Sequence, residues 1–158
     1  MEKIVMVAGQ RTPFGAFGGG LKDVSATDLT VAASRSTLEQ AGVKSGDIDH
    51  VVVGNVAQSG SDAPYLARHV ALKLGLPVET PAYIVNRLCG SGFQSWVNAV
   101  QMIMTGESQC VLAGGVEQMS QIPYVMRNVR FGGIRMGNGE LEDYLNSSLT
   151  DQYAGIPM

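Results

Sequence analysis

Over residues 1–120, short apolar segments typical of buried strands alternate with longer segments of helical periodicity, and this alternation constrains the fold most. Strands are predicted at residues 3–8, 48–56, 81–86 and 110–116. Helices are predicted between them, at residues 25–40, 62–74 and 90–105. Ser25 is the predicted cap of the first helix, and Gly42 is predicted to end it. Parallel strands need long crossover connections, usually helical. The sequence therefore predicts an α/β fold that contains a βαβαβ unit and has a mostly parallel sheet.

The helix predicted at residues 90–105 is apolar over most of its circumference. One face carries the large side chains of Phe93, Trp96, Val97, Val100 and Met104. Ala99, Met102 and Ile103 cover much of the remaining surface. Because a helix that is apolar nearly all round is usually buried, we expect a buried helix here.

Composition excludes several classes of partner and location. The chain has 158 residues, 45% of them hydrophobic, and a formal net charge of −3, which favours a soluble globular domain without nucleic-acid or membrane partners. No apolar run approaches the ~20 residues of a membrane span. The apolar residues 4–8 are too few for a signal-peptide core, so we expect a cytoplasmic or equivalent reducing location. Two cysteines at unrelated spacing predict neither a disulfide nor a metal site.

The character of the chain changes after Ser120. Glycine and proline interrupt residues 121–158 repeatedly, and the only helix predicted there is a short one near residues 140–147. We expect residues 1–120 to form one domain, and residues 121–158 to be the start of an irregular loop domain.

Cys89 lies where a predicted buried strand passes through a glycine-containing turn into the predicted buried helix. Free N–H groups at a helix start favour a thiolate over a thiol, and Gly90 and Gly92 leave room for a substrate carbonyl. Free cysteine is also often buried and inert, and the residues alone leave both interpretations open. Cys110, within a predicted strand, has none of these features and is predicted to lie in the core.

The segment around Cys89 resembles the active-cysteine segment of thiolases, the acyl-CoA C-acyltransferases. The resemblance covers the whole chain, and its motifs lie at residues 86–95, 11–14, 114–120 and 149–151. Residues 120–124 and 127–132 are more similar to 3-ketoacyl-CoA thiolases than to strict acetoacetyl-CoA enzymes.

The resemblance implies that Cys89 attacks the ketone of a 3-ketoacyl-CoA and carries the acyl group as a thioester, with coenzyme A as substrate and no other cofactor. It implies that Leu149 and Met158 line the pantetheine site, although Pro157 stands where many relatives carry histidine. It also implies a role in fatty acid β-oxidation and a homo-oligomer, either a dimer or a tetramer.

Thiolases also use a histidine in a Gly-His-Pro motif and a second cysteine in a Cys-x-Gly motif, and this sequence has neither motif. His50 and His69 belong to no family motif and are predicted to be structural. The carboxy-terminal domain and the fifth strand of the sheet are expected to be missing, so the isolated chain is expected to be inactive and marginally folded. A second chain could supply the missing half.

Two alternatives remain open from the sequence. One is a relative of 3-ketoacyl synthases, and the other is a non-catalytic remnant that only oligomerises. Residues 15–22 fail the spacing of a phosphate-binding loop and are predicted to be a flexible loop. Arg127, Arg130 and Arg135 could meet CoA phosphates, an oligomer contact or solvent.

Overall fold

A three-stranded parallel sheet is the centre of the computed structural model, which describes residues 3–158. Its strands are β1 (His50–Gly54), β2 (Ala82–Val85) and β3 (Val111–Gly115). The strand order is β2-β1-β3, with β1 parallel to both neighbours. The predicted α/β fold with a parallel sheet is therefore confirmed.

Four α-helices accompany the sheet: α1 (Ala26–Ala41), α2 (Leu66–Lys73), α3 (Ser91–Thr105) and α4 (Tyr144–Ser148). The Ser25 side chain caps α1 by accepting the N–H of Asp28, as the sequence predicts for a helix start. Gly42 ends α1 with a φ of 65° in the left-handed region, where glycine avoids the penalty that a Cβ would impose. Within residues 3–158, no helix is both long enough and apolar enough to cross a bilayer.

The core lies on both faces of β1. Val51 and Val53 belong to a cluster with Leu66 and Val70 of α2. Val52, whose side chain points to the opposite face of the strand, is also fully buried, and α3 packs against β1 and β3. Burial on both faces explains why the strand is a continuous valine run rather than an alternating pattern.

The strand predicted at residues 3–8 is absent from the structure. Val5, Met6 and Val7 are 65–71% exposed, and the segment pairs with neither edge of the sheet. An apolar run indicates a tendency to be buried, but a strand forms only where a neighbouring strand satisfies its backbone groups. No such neighbour is present within the described residues.

The prediction of a buried helix at residues 90–105 holds for only one face of α3. Ser91, Ser95, Ala99 and Met102 are buried against the sheet. The other face exposes large apolar side chains, namely those of Phe93, Trp96, Val97, Val100 and Met104. Five such side chains on one helix form a sizeable apolar patch, which is typical of a surface that another polypeptide covers.

Residues 121–158 contain two short antiparallel strand pairs and one short helix. β4 (Tyr124–Val125) pairs with β5 (Glu142–Asp143), and β6 (Thr150–Asp151) pairs with β7 (Ile156–Pro157). The short helix predicted near residues 140–147 is α4, and the Asp143 carboxylate caps it by accepting two backbone N–H groups. The remainder is irregular, as predicted.

Glu142 is expected to titrate far below an ordinary glutamate. The Arg127 guanidinium donates two hydrogen bonds to its carboxylate, at 2.6 and 2.9 Å, and this contact lowers the pKa of Glu142 to about 2. Because the folded-state pKa lies below the ordinary value of 4.5, the stabilisation is present above about pH 4.5 and is lost as the pH falls towards 2. Carboxyl carbon NMR should show Arg127→Gln raising this pKa. Arg130→Gln, in the same segment, should leave it unchanged, and a Glu142 midpoint near 4.5 in the original chain would contradict the assignment.

Candidate active site

Cys89 is exposed and lies in the short turn that joins β2 to α3. It directly precedes Gly90, the residue that caps the helix amino terminus. Since β2 is parallel to its neighbour, this turn is at the carboxyl edge of the sheet. The structure therefore places the sulfur on an open surface at a helix start, where the sequence predicted it.

The turn before Cys89 has an unusual backbone. Leu88 has a φ of 49°, in the left-handed region that a bulky side chain rarely adopts. Its N–H donates to Asn86 Oδ1 at 3.0 Å, and the N–H of Gly90 donates to the Arg87 carbonyl at 3.1 Å. These bonds fold the chain tightly just before the nucleophile candidate.

The start of α3 has no side-chain cap. Its N-cap residue is Gly90, which has no side chain to accept the first amide N–H groups. The first helical residue, Ser91, directs its hydroxyl back to the turn instead: it accepts from the Arg87 N–H at 2.8 Å and donates to the Leu88 carbonyl at 2.6 Å. The first turn of a helix leaves amide groups without intrahelical partners. Here no side chain caps them, although the Ser91 N–H donates to the Leu88 carbonyl at 3.0 Å.

Two strand glycines allow α3 to approach the sheet very closely. A Cβ at Gly54 would lie 2.5 Å from the Ser91 carbonyl carbon and oxygen and 2.7 Å from the Gly92 nitrogen. A Cβ at Gly115 would lie 3.0 Å from the Gly92 Cα. Because these neighbours are backbone atoms, the absence of side chains at the ends of β1 and β3 fixes the depth at which the helix start sits.

The segment after β1 is tied to the ends of both other strands. The Asn55 N–H donates to the Val85 carbonyl at 3.2 Å, and its side-chain amide donates to the Val116 carbonyl at 2.9 Å. The Glu117 carboxylate accepts from the Asn55 amide and from the backbone N–H groups of Val56 and Ala57, at 2.8–3.1 Å. These contacts lock the carboxyl edge of the sheet beside the Cys89 turn.

Desolvation by partial burial raises the pKa of Glu117, while the N–H groups of Ala57 and Val56 act in the opposite direction. The folded state therefore disfavours the charged form of this carboxylate, even though the loop binds to it. We interpret Glu117 as an organiser of the sheet edge.

Leu149 and Met158 lie side by side across the β6–β7 hairpin. The Met158 N–H donates to the Leu149 carbonyl at 2.8 Å, next to the pairing of Thr150 with Pro157. Their side chains are 40% and 66% exposed. The structure thus brings these two predicted residues together, while no hydrogen bond within residues 3–158 joins their hairpin to the Cys89 turn.

Neither histidine lies in the Cys89 turn. His50 begins β1, at the amino edge of the sheet, where its buried ring packs edge-on against Tyr83. His69 is on α2, with Nδ1 3.5 Å from the Asp62 carboxylate and its ring stacked on Tyr65. Both side chains therefore have structural contacts of the kind that the sequence predicted.

The second thiol lies at the amino edge of the sheet, away from Cys89. Cys110 directly precedes β3 and packs against the core. Burial, and then the nearby carboxylates of Asp49 and Asp47, raise the pKa of the Cys110 thiol. A thiol with a raised pKa is a poor nucleophile at neutral pH.

The glycine-rich residues 15–22 form a loop, as predicted, but it is anchored. The Gln118 amide donates to the carbonyls of Leu21 and Val24, and Ser120 Oγ accepts from the Gly18 N–H at 3.0 Å. The Arg127 guanidinium is engaged by Glu142, so it is not freely available for a phosphate.

Sequence reasoning assigned no role to Ser91, Gly54 or Glu117. A serine immediately after a Cys-Gly pair at a predicted helix start was an available signal for a turn contact. The close approach of Gly54 had no local signal, because it depends on which helix packs over the strand.

Comparison with known proteins identifies relatives along almost the whole chain. The family model described as "Thiolase, N-terminal domain" matches residues 4–158. The human mitochondrial 3-ketoacyl-CoA thiolase is 55% identical over 158 residues, which are 100% of this chain and 40% of that protein. A probable acetyl-CoA acyltransferase of Staphylococcus aureus is 44% identical over 154 residues, or 97% of this chain and 39% of that protein. The chain thus spans about 40% of the length of these relatives.

Solved structures agree with this comparison. Human mitochondrial 3-ketoacyl-CoA thiolase in complex with CoA superposes with a TM-score of 0.92 at 56% identity, over 96% of this chain and 39% of that one. The acetyl-CoA acetyltransferase of Bacillus anthracis gives a TM-score of 0.90 at 36% identity, over 98% of this chain and 39% of that one.

The expected cytoplasmic location is contradicted by these relatives. The human and mouse proteins, at 55% and 56% identity, are both named as mitochondrial. The expectation rested on the lack of a long apolar run. Mitochondrial targeting segments are amphipathic and arginine-rich rather than apolar, so that criterion did not address this compartment.

Proposed function

Since this chain belongs to the thiolase family, in which it corresponds to the amino-terminal domain, we propose that it provides the acyl-carrying cysteine of an acyl-CoA C-acyltransferase. The observation that carries the proposal is the position of Cys89, exposed at a helix start that no side chain caps. This arrangement combines an accessible sulfur with the amino terminus of a helix, whose partial positive charge favours a developing negative charge nearby.

The proposed reaction has two covalent steps. The Cys89 thiolate attacks the ketone carbon of a 3-ketoacyl-CoA, and the bond between that carbon and the α-carbon then breaks. The electron pair of that bond leaves with the acetyl-CoA fragment, which takes up a proton at its α-carbon. The acyl group remains on sulfur as a thioester. The thiol of free CoA then attacks this thioester, transfers its proton to a base, and restores Cys89. The reverse sequence forms a carbon–carbon bond by Claisen condensation.

The turn supports charge stabilisation in the first step. The ketone oxygen becomes an oxyanion when sulfur attacks, and amide N–H groups at a helix start are suitable donors for it. Gly90 and Gly92 carry no side chains that would block the approach of the carbonyl.

The β6–β7 hairpin is the proposed contact for the substrate's pantetheine arm. Leu149 and Met158 present adjacent, partly exposed apolar side chains, which suit the aliphatic portions of that arm. We assign the hairpin to a loop domain that begins in residues 121–158, separate from the sheet domain of residues 1–120.

We propose that a base and further protein surface come from outside the described residues. Neither His50 nor His69 lies in the Cys89 turn, and general acid–base catalysis requires a group within hydrogen-bond reach. The apolar side chains on the exposed face of α3 and in residues 3–8 also require a packing partner to be buried. We propose that additional polypeptide supplies both, either in the same chain or as a second chain, and that the assembly includes a second copy.

Acyl transfer to Cys89 is the direct test of this function. The protein is mixed with acetoacetyl-CoA without free CoA, in the presence of whatever further polypeptide co-purifies with it. Peptide mass mapping should find an acetyl group on Cys89, and added CoA should remove it. Cys110→Ser should form the same adduct, because Cys110 lies at the other edge of the sheet.

The possible results separate the alternatives. Acylation of a residue other than Cys89, or of none, contradicts the proposal and favours a non-catalytic remnant. An adduct on Cys89 that free CoA does not remove would favour a 3-ketoacyl synthase relative, which passes its acyl group to a carbon acceptor.

A further inference from the structure

We propose that Ser91 is a positioning residue whose hydroxyl holds Leu88 in its left-handed conformation and so directs the Cys89 sulfur towards the start of α3. The inference deepens the proposed function and rests on it for its catalytic meaning. It depends on the bonds and backbone angles of the turn itself.

The backbone of Leu88 needs an external restraint. A left-handed conformation is unfavourable for an L-residue with a Cβ, and such residues persist only where surrounding contacts fix them. The Leu88 side chain is 57% exposed, so packing of that side chain does not provide a strong restraint. Hydrogen bonds to the backbone of the turn must therefore hold the conformation.

Ser91 provides two of these hydrogen bonds from one atom. Its Oγ accepts from the Arg87 N–H at 2.8 Å and donates to the Leu88 carbonyl at 2.6 Å, so it bridges the Asn86–Arg87 and Leu88–Cys89 peptide units. The residue is only 4% exposed, so water does not readily replace the hydroxyl. Two further contacts act on the same residue: Asn86 Oδ1 accepts from the Leu88 N–H, and the Ser91 backbone N–H donates to the Leu88 carbonyl at 3.0 Å.

The position of Ser91 explains why a single residue can couple the turn to the helix. Its backbone lies against Gly54, where a Cβ would be 2.5 Å from its carbonyl, so the serine is fixed in depth by the sheet. Through its two hydrogen bonds, the hydroxyl holds the backbone of residues 87 and 88 in place relative to the start of α3. Cys89, between Leu88 and the helix, is thereby constrained from both sides.

Alkylation of Cys89 by iodoacetamide at neutral pH tests the proposal, with peptide mapping to separate it from Cys110. Ser91→Ala should slow the reaction of Cys89 about 5- to 30-fold, the factor that corresponds to the strain of a left-handed residue, because Leu88 relaxes and the sulfur leaves the helix start. Ser95→Ala is the matched control. Ser95 is a fully buried serine one turn along α3 whose hydroxyl donates to the Gly92 carbonyl, and its variant should react at the original rate.

Restoration by a second substitution distinguishes positioning from a general structural effect. Asparagine tolerates the left-handed region, so Leu88→Asn combined with Ser91→Ala should recover the rate to within about threefold of the original. If Ser91→Ala does not fold, as judged by thermal unfolding, Leu88→Val provides an independent test. A β-branched residue resists a positive φ, so this variant should slow alkylation although the hydroxyl is intact.

Three results would overturn the inference: equal rates for Ser91→Ala and Ser95→Ala, no recovery in the double variant, or an unchanged rate in Leu88→Val. Alkylation needs neither CoA nor acyl transfer, so the positioning of Cys89 is judged even if the residue carries no acyl group. Conversely, if the alkylation rates follow the expected pattern but no acetyl adduct forms on Cys89, only the proposed function is contradicted.

Discussion

Cys89→Ser is expected to reduce thiolytic turnover of acetoacetyl-CoA by at least about a thousandfold, measured on the assembled protein. Serine keeps the shape of the side chain, but its hydroxyl is far less nucleophilic than a thiolate and is not ionised at neutral pH. Because the acyl group has no other proposed carrier, the loss should appear in kcat rather than in KM alone. Loss of absorbance by the acetoacetyl-CoA enolate follows the reaction.

Cys110→Ser is the matched control for this experiment. It removes the other thiol of the chain, which lies at the opposite edge of the sheet and whose pKa is raised by burial. This variant should keep its turnover within about a factor of three, apart from any loss that its thermal stability explains. Turnover by Cys89→Ser at the original rate would remove Cys89 from the mechanism.

Gly54→Ala is expected to destabilise the fold by about 3 kcal/mol or more, the upper end of the cost of overpacking a core. The added methyl group would lie 2.5 Å from the backbone of Ser91, and neither β1 nor α3 can move away without disturbing the sheet. For a domain of 150 to 250 residues, each ~1 kcal/mol lowers Tm by about 2–4 °C. Thermal unfolding followed by circular dichroism should therefore show a loss of roughly 6–12 °C.

Two other strand glycines provide a graded control. Gly114 is in β3 with open space around its missing Cβ, so Gly114→Ala should change Tm very little. A Cβ at Gly115 would lie 3.0 Å from the Gly92 Cα. The loss in Tm for Gly115→Ala should therefore be intermediate between the losses for Gly54→Ala and Gly114→Ala. Equal effects at all three positions would show that contact with α3 does not determine the cost.

Local patterns were sufficient to predict three strands and three helices of the sheet domain. Ser25 as a cap and Gly42 as a terminator place α1 to within a residue, because capping depends on neighbouring backbone groups only. The run of three valines also predicted β1 correctly, because a strand that is buried on both faces requires an unbroken apolar segment.

The same kind of pattern failed for residues 3–8. Val5, Met6 and Val7 have strand-like composition, yet they form no strand in the described chain. Pairing is a property of two segments, and composition describes only one of them. The exposed face of α3 was missed for the same reason. An apolar surface indicates that it is buried against something, but it does not identify the partner.

The sequence by itself determined the order of the elements from α1 to β3, the family, and the placement of Cys89 between a strand and a helix. It did so because periodicity, caps and short motifs are local. Only the tertiary structure decided that Leu88 is left-handed, that Ser91 restrains it, and that Gly54 sets the depth of the helix. These features depend on distances between segments far apart in the chain, or on hydrogen bonds whose geometry only the folded backbone defines.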